Sequence, residues 1–419
     1  MRGGFAKNVL WLLSGNGLKF ALQAAYFTLI ARSLGPDKYG AFLAGVAITA
    51  VLSPFVGLGT SNLIVRNVAR DPDLFRESWG NGLLVTFTTG VLGVGLVLAV
   101  RHWIPSGIGS TVLLLIAVAD LVFGRITDLC GFAFGALERF GTTAHINVWI
   151  SLSRVVGLSA LVAIVPHPTV EAWAAAYLAT AVATTFGSIS WAFWTLSLPM
   201  IGLRRLFHEL GEGIYFSIGL SAQSVYNDID KTMLAQLGSL QATGIYGAAY
   251  RVIDVSTVPL RSILSAANPG SFRAGSRGIA ESLAFMRPLM HKALMYSACA
   301  AAGMIVCAPI LPHVLGPAYQ ETATALRWLA VLPVLRSVHL FLADALTGAG
   351  HQRMRSIVQV FIALVNILIN IWIIPLYSWR GAAWSSIACD ALLGVVLGTA
   401  AFQLTKAERM TIEITQEAV

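Results

Sequence analysis

Residues 355–376, RSIVQVFIALVNILINIWIIPL, open on one arginine and then run for twenty-one residues without a charge. A helix needs about 20 apolar residues to cross a hydrocarbon core of about 30 Å. The stretch is long enough to span a membrane, and it has company on both sides. Runs of similar length and character are expected at 8–33, 39–64, 80–102, 110–134, 143–165 and 170–196, then at 213–237, 243–267, 287–312, 321–345, 355–376 and 380–404. Short linkers with turn chemistry separate them, among them Gly35-Pro36-Asp37, Pro166-His167-Pro168 and Gly316-Pro317. Twelve spans leave no gap long enough for a soluble domain.

Composition agrees. The 419 residues are 56% hydrophobic and 11% charged, against about 25% charged in soluble domains. The net charge of +8 sits in loops, where it orients a membrane protein, so no nucleic-acid partner is expected. The segment Met1 to Lys7 lacks a small-residue cleavage site, so the first span is expected to be a retained helix. Cys130, Cys299, Cys307 and Cys389 fall in apolar runs without a CxxC pair and are expected to be small core residues. The eight histidines show no metal-ligand spacing. Neither a metal nor a cofactor is expected.

Lysine and arginine fix the orientation. Sixteen of them, from Arg2 and Lys7 through Arg66, Arg76, Arg139, Arg204, Arg277 and Arg355 to Arg409, fall in loops on one side. Only Arg32, Lys38, Arg101 and Arg380 fall on the other. The excess places both termini in the cytoplasm, as an even helix count requires. Trp11, Trp79, Trp103, Trp173 and Trp379 lie near span ends, where an interfacial aromatic belt is expected.

The polar stretch LPMIGLRRLFHELGEG, from Leu198 to Gly213, divides the spans six and six. Leu29-Ile-Ala-Arg-Ser-Leu-Gly leading to Tyr39-Gly40 is echoed by Leu234-Ala-Gln-Leu-Gly leading to Tyr246-Gly247. Gly135-Ala136 before Arg139 is likewise echoed by Gly348-Ala349 before Arg353. Residues 1–197 and 213–405 are therefore expected to be two six-helix bundles, with 198–212 a cytoplasmic linker and 406–419 a cytoplasmic tail. Paired bundles of like orientation suit an alternating-access transporter with its site between them.

Charges inside the spans name the candidate site, because such residues are costly in lipid. Lys19 lies near the middle of the first span, and Asn16, Lys19, Gln23 and Tyr26 form one stripe at helical spacing. Arg154 is as deep in span five; like Lys19, it has no opposite charge nearby in sequence. Arg125 with Asp128, Asp228 with Lys231, and Arg251 with Asp254 are opposite charges three residues apart, able to neutralise each other. Gln223, Asn227 and Asp230 share a face of span seven. Arg327 and Arg336, nine residues apart on span ten, are expected on opposite faces. Lys19, Arg125, Arg154, Arg251 and Arg336 are the candidate anion-binding cations, with Asn16, Gln23, Gln223 and Asn227 as polar lining. Asp120, Asp128, Asp228, Asp230 and Asp254 are candidates for coupling H+ or Na+, followed by Asp344 and Asp390.

At Ala31-Arg32-Ser33-Leu34-Gly35-Pro36-Asp37-Lys38-Tyr39-Gly40-Ala41-Phe42 the chain resembles the polysaccharide-transporter family. These are the Wzx-type flippases of the multidrug/oligosaccharidyl-lipid/polysaccharide exporter superfamily. Leu315-Gly316-Pro317-Ala318-Tyr319, followed by Ala323 and Leu326, resembles the family's other recurring piece. The resemblance implies an all-α polytopic membrane protein, MATE-like and V-shaped, with two six-helix bundles around a cationic central cavity. It implies a cargo as well: an undecaprenyl-pyrophosphate-linked oligosaccharide, an O-antigen or exopolysaccharide repeat unit, flipped across the bacterial cytoplasmic membrane. Membrane lipids, a polymerase and other polysaccharide-assembly proteins would be the partners. The drive would be an ion gradient or the membrane potential, and the chain indeed lacks a GxxxxGK[ST] phosphate loop. A cation-coupled drug or metabolite antiporter of the same superfamily is the nearest alternative. A polysaccharide polymerase or glycosyltransferase fits worse, because the extracytoplasmic gaps are too short for a catalytic loop. No enzyme activity is expected.

Overall fold

The computed structural model describes residues 2–103, 107–202 and 228–417, with 204, 206, 211, 214 and 217 between them; the side chains of 2–21, 69, 70, 102, 103, 140, 265, 266, 268, 269, 409 and 411–417 lie outside that description. Every regular element described is helical. Seven of the described helices are long and apolar enough to cross a membrane, or eight if Pro317–Leu329 and Leu332–Gly348, bent by 43°, form one span. The chain is an all-α polytopic membrane protein. It divides into two compact units, Met1–Gln236 and Leu237–Val419.

In the first unit, helix α1 (Arg2–Leu52) carries the first two expected spans and is broken inside at Gly35, where φ is 71° and ψ is 172°. A Cβ at Gly35 would meet nothing within 4 Å. Torsion, not space, therefore requires glycine there. Pro36 starts the next helical segment at the position where its missing N–H is no loss. The second span does not run unbroken over 39–64 as expected. It ends at Leu52, turns through Pro54, Gly57, Leu58 and Gly59 with positive φ at the last three, and resumes as α2 (Thr60–Arg70). Proline and two glycines within six residues are enough to interrupt a helix. The Gly57 amide that the break frees donates to Thr89 Oγ1 at 2.8 Å.

Helix α3 (Phe75–Ala99) is continuous. The fourth span is not: α4 (Ser110–Ala117) passes through a π-helical turn, Val118–Gly124, into α5 (Arg125–Ala136). Helices α6 (Phe140–Ile164) and α7 (Val170–Thr195) complete the set. The chain leaving α7 is held against α3. Met200 N donates to Arg76 O at 2.9 Å, and Asn81 both accepts from Gly202 N at 2.9 Å and donates to Gly202 O at 3.1 Å. Gly80 leaves room for the Met200 carbonyl, which a Cβ would strike. Beyond this strap, residues 228–237 are helical.

The second unit contains α8 (Leu240–Gly275), α9 (Ile279–Cys307), the short α10 (Ile310–Leu315), α11 (Gln320–Leu329), α12 (Leu332–Gly348), α13 (Gln352–Tyr377) and α14 (Trp379–Glu417). Ser239 caps α8 through Ala242 N at 3.0 Å. Gly316, with φ 113°, precedes Pro317 as Gly35 precedes Pro36. Both motif pieces quoted above thus fold as the same device: a positive-φ glycine, then a proline that opens a helix. Small residues bring the helices together, with Gly275 against the Gly348 carbonyl and Ser282 Oγ donating to Ala345 O at 2.9 Å. Span ten, expected to be straight, bends between Leu329 and Leu332. Arg327 lies before this bend and is exposed, whereas Arg336 lies after it and is buried.

All four cysteines are free. Cys130 and Cys389 are buried as expected, whereas Cys299 and Cys307 are exposed on the apolar α9. Their core placement is corrected: small apolar residues suit a lipid-facing surface as well as a core.

Candidate functional site

The first unit encloses a chamber of about 330 Å³ among α1, the π-turn, α5, α6 and α7. Gln23, Tyr26, Thr49, Asp120, Arg125, Asp128, Asn147, Ser151, Arg154 and Thr184 lie on its wall. Its size is at the lower end of ligand pockets, about 300–1,000 Å³. Asp120 on the π-turn is part of that wall, and such bulges are frequent at functional sites. Gly90 on α3 leaves room for the turn, since a Cβ there would stand 2.5 Å from the Leu121 carbonyl. Thr127 and Thr185 donate to the Phe123 carbonyl at 3.0 and 2.8 Å. Their hydroxyls replace bonds that a widened turn gives up.

Asp120 is held at both oxygens: Oδ1 accepts from the Tyr177 hydroxyl at 2.6 Å and Oδ2 from Thr49 Oγ1 at 2.7 Å. Arg154 Nη2 donates to the same Tyr177 oxygen at 3.0 Å, and its Cζ lies 4.6 Å from that ring's centroid. A guanidinium, a phenol and a carboxylate from α6, α7 and the π-turn are thus linked in series. Phe42 of the ARSLGPDKYGAF stretch packs edge-on against Tyr177, centroids 5.4 Å apart. Gly157 on α6 leaves room for Thr180 of α7, which lets these two helices meet. Arg125 pairs with Asp128 at 3.1 Å on the chamber wall, as the spacing of three predicts. The four wall charges sum to zero. Arg154, which has no partner in its own span, finds Tyr177 and Asp120 across the bundle.

The second unit has a different polar centre. Arg336 on α12 is 6% exposed. Its Nη2 donates to the Tyr250 hydroxyl at 2.6 Å, its Nε stands 3.4 Å from Asp390 Oδ2, and its Nη1 is 3.7 Å from Asp254 Oδ1. Carboxylates of α8 and α14 thus flank this enclosed cation. Arg251 is exposed one turn before Asp254 on α8. Asp344 pairs with Arg355 at 3.3 Å.

In the helix at 228–237, Asp228 pairs with Lys231 at 2.6 Å, as its spacing predicts. Asp230 is buried and its carboxylate accepts from Lys231 N at 2.8 Å. The side chains of Asn16, Lys19, Gln223 and Asn227 lie outside the described residues. Sequence reasoning missed Thr49, Tyr177, Tyr250 and His339, because uncharged polar groups leave no trace in a count of charges. The cue for the tyrosines was a phenol set in a small-residue run, as in Ala-Ala-Ala-Tyr177. No group of three or more His, Cys, Asp or Glu among the described residues could hold a metal ion.

Compared with known proteins, residues 5–274 match the family described as polysaccharide biosynthesis protein. No curated protein matches the sequence. Among solved structures the chain resembles the inward-facing conformation of a multidrug resistance MATE family transporter of the MOP superfamily. That match has a TM-score of 0.76 at 17% identity and covers 92% of this chain and 95% of the other. It also resembles the outward-facing conformation of a multidrug resistance MATE family transporter of that superfamily, with TM-score 0.62, 17% identity and 93% and 94% coverage. A third is a MOP superfamily transporter from Pyrococcus furiosus whose binding pocket is described as reversed in polarity, with TM-score 0.65, 18% identity and 93% and 94% coverage. At such identities the likeness shows a shared fold.

Proposed function

This chain belongs to the polysaccharide biosynthesis protein family, and from that premise we propose that it is a membrane transporter of the MOP superfamily that flips a lipid-linked oligosaccharide across the bacterial cytoplasmic membrane. The cargo is an undecaprenyl-pyrophosphate-linked repeat unit, moved by alternating access from the cytoplasmic to the outer leaflet. The observation that carries this reading is the family match over residues 5–274, a range that includes every residue of the chamber.

Arginines suit the diphosphate because a planar guanidinium binds phosphate oxygens in pairs. Arg154 and Arg125 stand on the chamber wall; Lys19 and, in the second unit, Arg251 are further candidate anion-binding cations. The chamber is sized for a charged head group rather than for a whole glycan, so the sugars lie outside it. Asp120, Asp128, Asp228, Asp230 and Asp254 are the carboxylates through which H+ or Na+ is coupled. When a diphosphate takes Arg154 from Tyr177, Asp120 loses its nearest positive partner and binds a cation more readily. This links the two ligands.

The test is complementation of a bacterial strain that lacks its own flippase. Wild type restores surface glycan, whereas Arg154→Ala at equal membrane abundance restores about ten- to a hundredfold less, the loss of one charge-assisted contact of about 1.5–3 kcal/mol. Replacement by Lys retains more activity than replacement by Glu. The fold likeness to multidrug transporters favours a second reading, a cation-coupled antiporter. That reading prevails if surface glycan is unaffected and expression instead raises resistance to cationic compounds.

A further inference from the structure

The second unit holds a histidine for which the transport reading has no task. His339 on α12 is 5% exposed, and neither ring nitrogen has a hydrogen-bond partner. Buried polar groups are rarely left so. Its Nε2 stands 3.7 Å from Asp390 Oδ1, slightly too far for a hydrogen bond, while the other oxygen of the same carboxylate faces Arg336.

The charges around the ring can be followed helix by helix. Asp390 reaches it from α14, Arg336 from its own helix and Arg355 from α13. Arg355 is answered by Asp344 at 3.3 Å. Helix α9 presents Ser297 to Ser337 beside it, and α8 contributes Asp254 through Arg336. Two carboxylates, Asp254 and Asp390, therefore share one guanidinium. Arg251, one turn before Asp254, is exposed. A base able to give Asp390 a second counter-charge is His339, 3.7 Å away.

We propose that His339 and Asp390 form a proton-binding site in the second unit, where a protonated imidazole and the Arg336 guanidinium are alternative counter-charges for one carboxylate. The proton comes from water and adds to the Nε2 lone pair. The new N–H donates to Asp390 Oδ1 once the ring closes the remaining gap. Arg336 then keeps Asp254 and the Tyr250 hydroxyl and is free of Asp390. In the arrangement described here Arg336 holds Asp390 and the ring nitrogens have no hydrogen-bond partner. The use of this site in transport rests on the reading above; the binding of the proton does not.

The test uses the full-length protein in lipid nanodiscs with ¹⁵N-labelled histidine, the His339 signal being identified by its loss in His339→Gln. At one fixed pH near 6, Arg336→Gln should raise the ratio of charged to neutral His339 ring at least about tenfold over wild type. An unchanged ratio in that variant overturns the site. Should Arg336→Gln not fold, Asp390→Asn decides: the charged ring should become at least about tenfold scarcer than in wild type across the acid limb of the titration, and identical titrations overturn the site. In cells, His339→Gln should flatten the dependence of surface glycan on external pH. A variant that keeps the wild-type pH dependence, although the ring is seen to bind its proton, removes the site from transport while leaving the flippase reading standing.

Discussion

At Tyr177 one hydroxyl serves two partners, giving its proton to Asp120 at 2.6 Å and accepting from Arg154 at 3.0 Å. Replacing it by phenylalanine keeps the ring beneath the guanidinium and removes only the link. Asp120 Oδ1 then loses its donor, at a cost of about 1–3 kcal/mol for a buried acceptor. The expected result is a lower melting temperature in detergent together with impaired transport, and Tyr177→Phe with wild-type values of both would show the series to be idle. The half-buried Arg154 and the buried Arg336 should also part company. Arg336→Ala strands two carboxylates and should cost about 3–5 kcal/mol. Arg154→Ala leaves Asp120 with both of its hydroxyl donors and should melt nearer to wild type while losing transport. Thermal unfolding of the two variants side by side checks the order. Neither difference can be read from spacing. Arg125–Asp128 and Asp228–Lys231 are local pairs and were legible three residues apart, whereas the partners of Arg154 and Arg336 come from other helices.

Helices were legible in sequence wherever twenty apolar residues run on, as at 355–376 or in α3, because length and hydropathy alone decide those spans. Their interruptions were harder to see. Pro54 with Gly57 and Gly59 could have signalled the break in span two. The π-turn at Val118–Gly124 carries no such mark, since it depends on Gly90 of another helix and on the hydroxyls of Thr127 and Thr185. A residue that bears on Asp120 only through α3 cannot be found by reading α4. Gly90→Ala should therefore act at a distance. Its Cβ would press on the Leu121 carbonyl, an overpacking of about 1–3 kcal/mol, and it should lower both the melting temperature and transport. Gly95→Ala on the same helix, where a Cβ meets nothing within 4 Å, is the matched control. Equal effects of the two would refute the role given to Gly90. At the ARSLGPDKYGAF break, Gly35→Ala should cost about 1–3 kcal/mol through its backbone conformation alone, visible in the same melts.

For the whole molecule, the surface that water-soluble chains hide is on the outside. Trp194 is 91% exposed, Ile164 79%, Trp372 77% and Leu376 75%, an apolar exterior that only lipid can cover. Such a surface fixes that the chain lies in a membrane but leaves both orientations open. The choice between them rests on sixteen lysines and arginines against four, a bias read by the insertion machinery within about 15–20 residues of each span. A reporter active only outside the cytoplasm should therefore be silent when fused after Val419. It should be active when inserted between Pro166 and Pro168, where Pro166 and His167 are exposed on the turn linking α6 to α7. The opposite pattern would invert the molecule, and with it the proposed direction of transport. Replacing Arg2 and Lys7 with neutral residues should leave the pattern unchanged. Fourteen of the sixteen charges remain, and an orientation shared among so many loops does not turn on two of them.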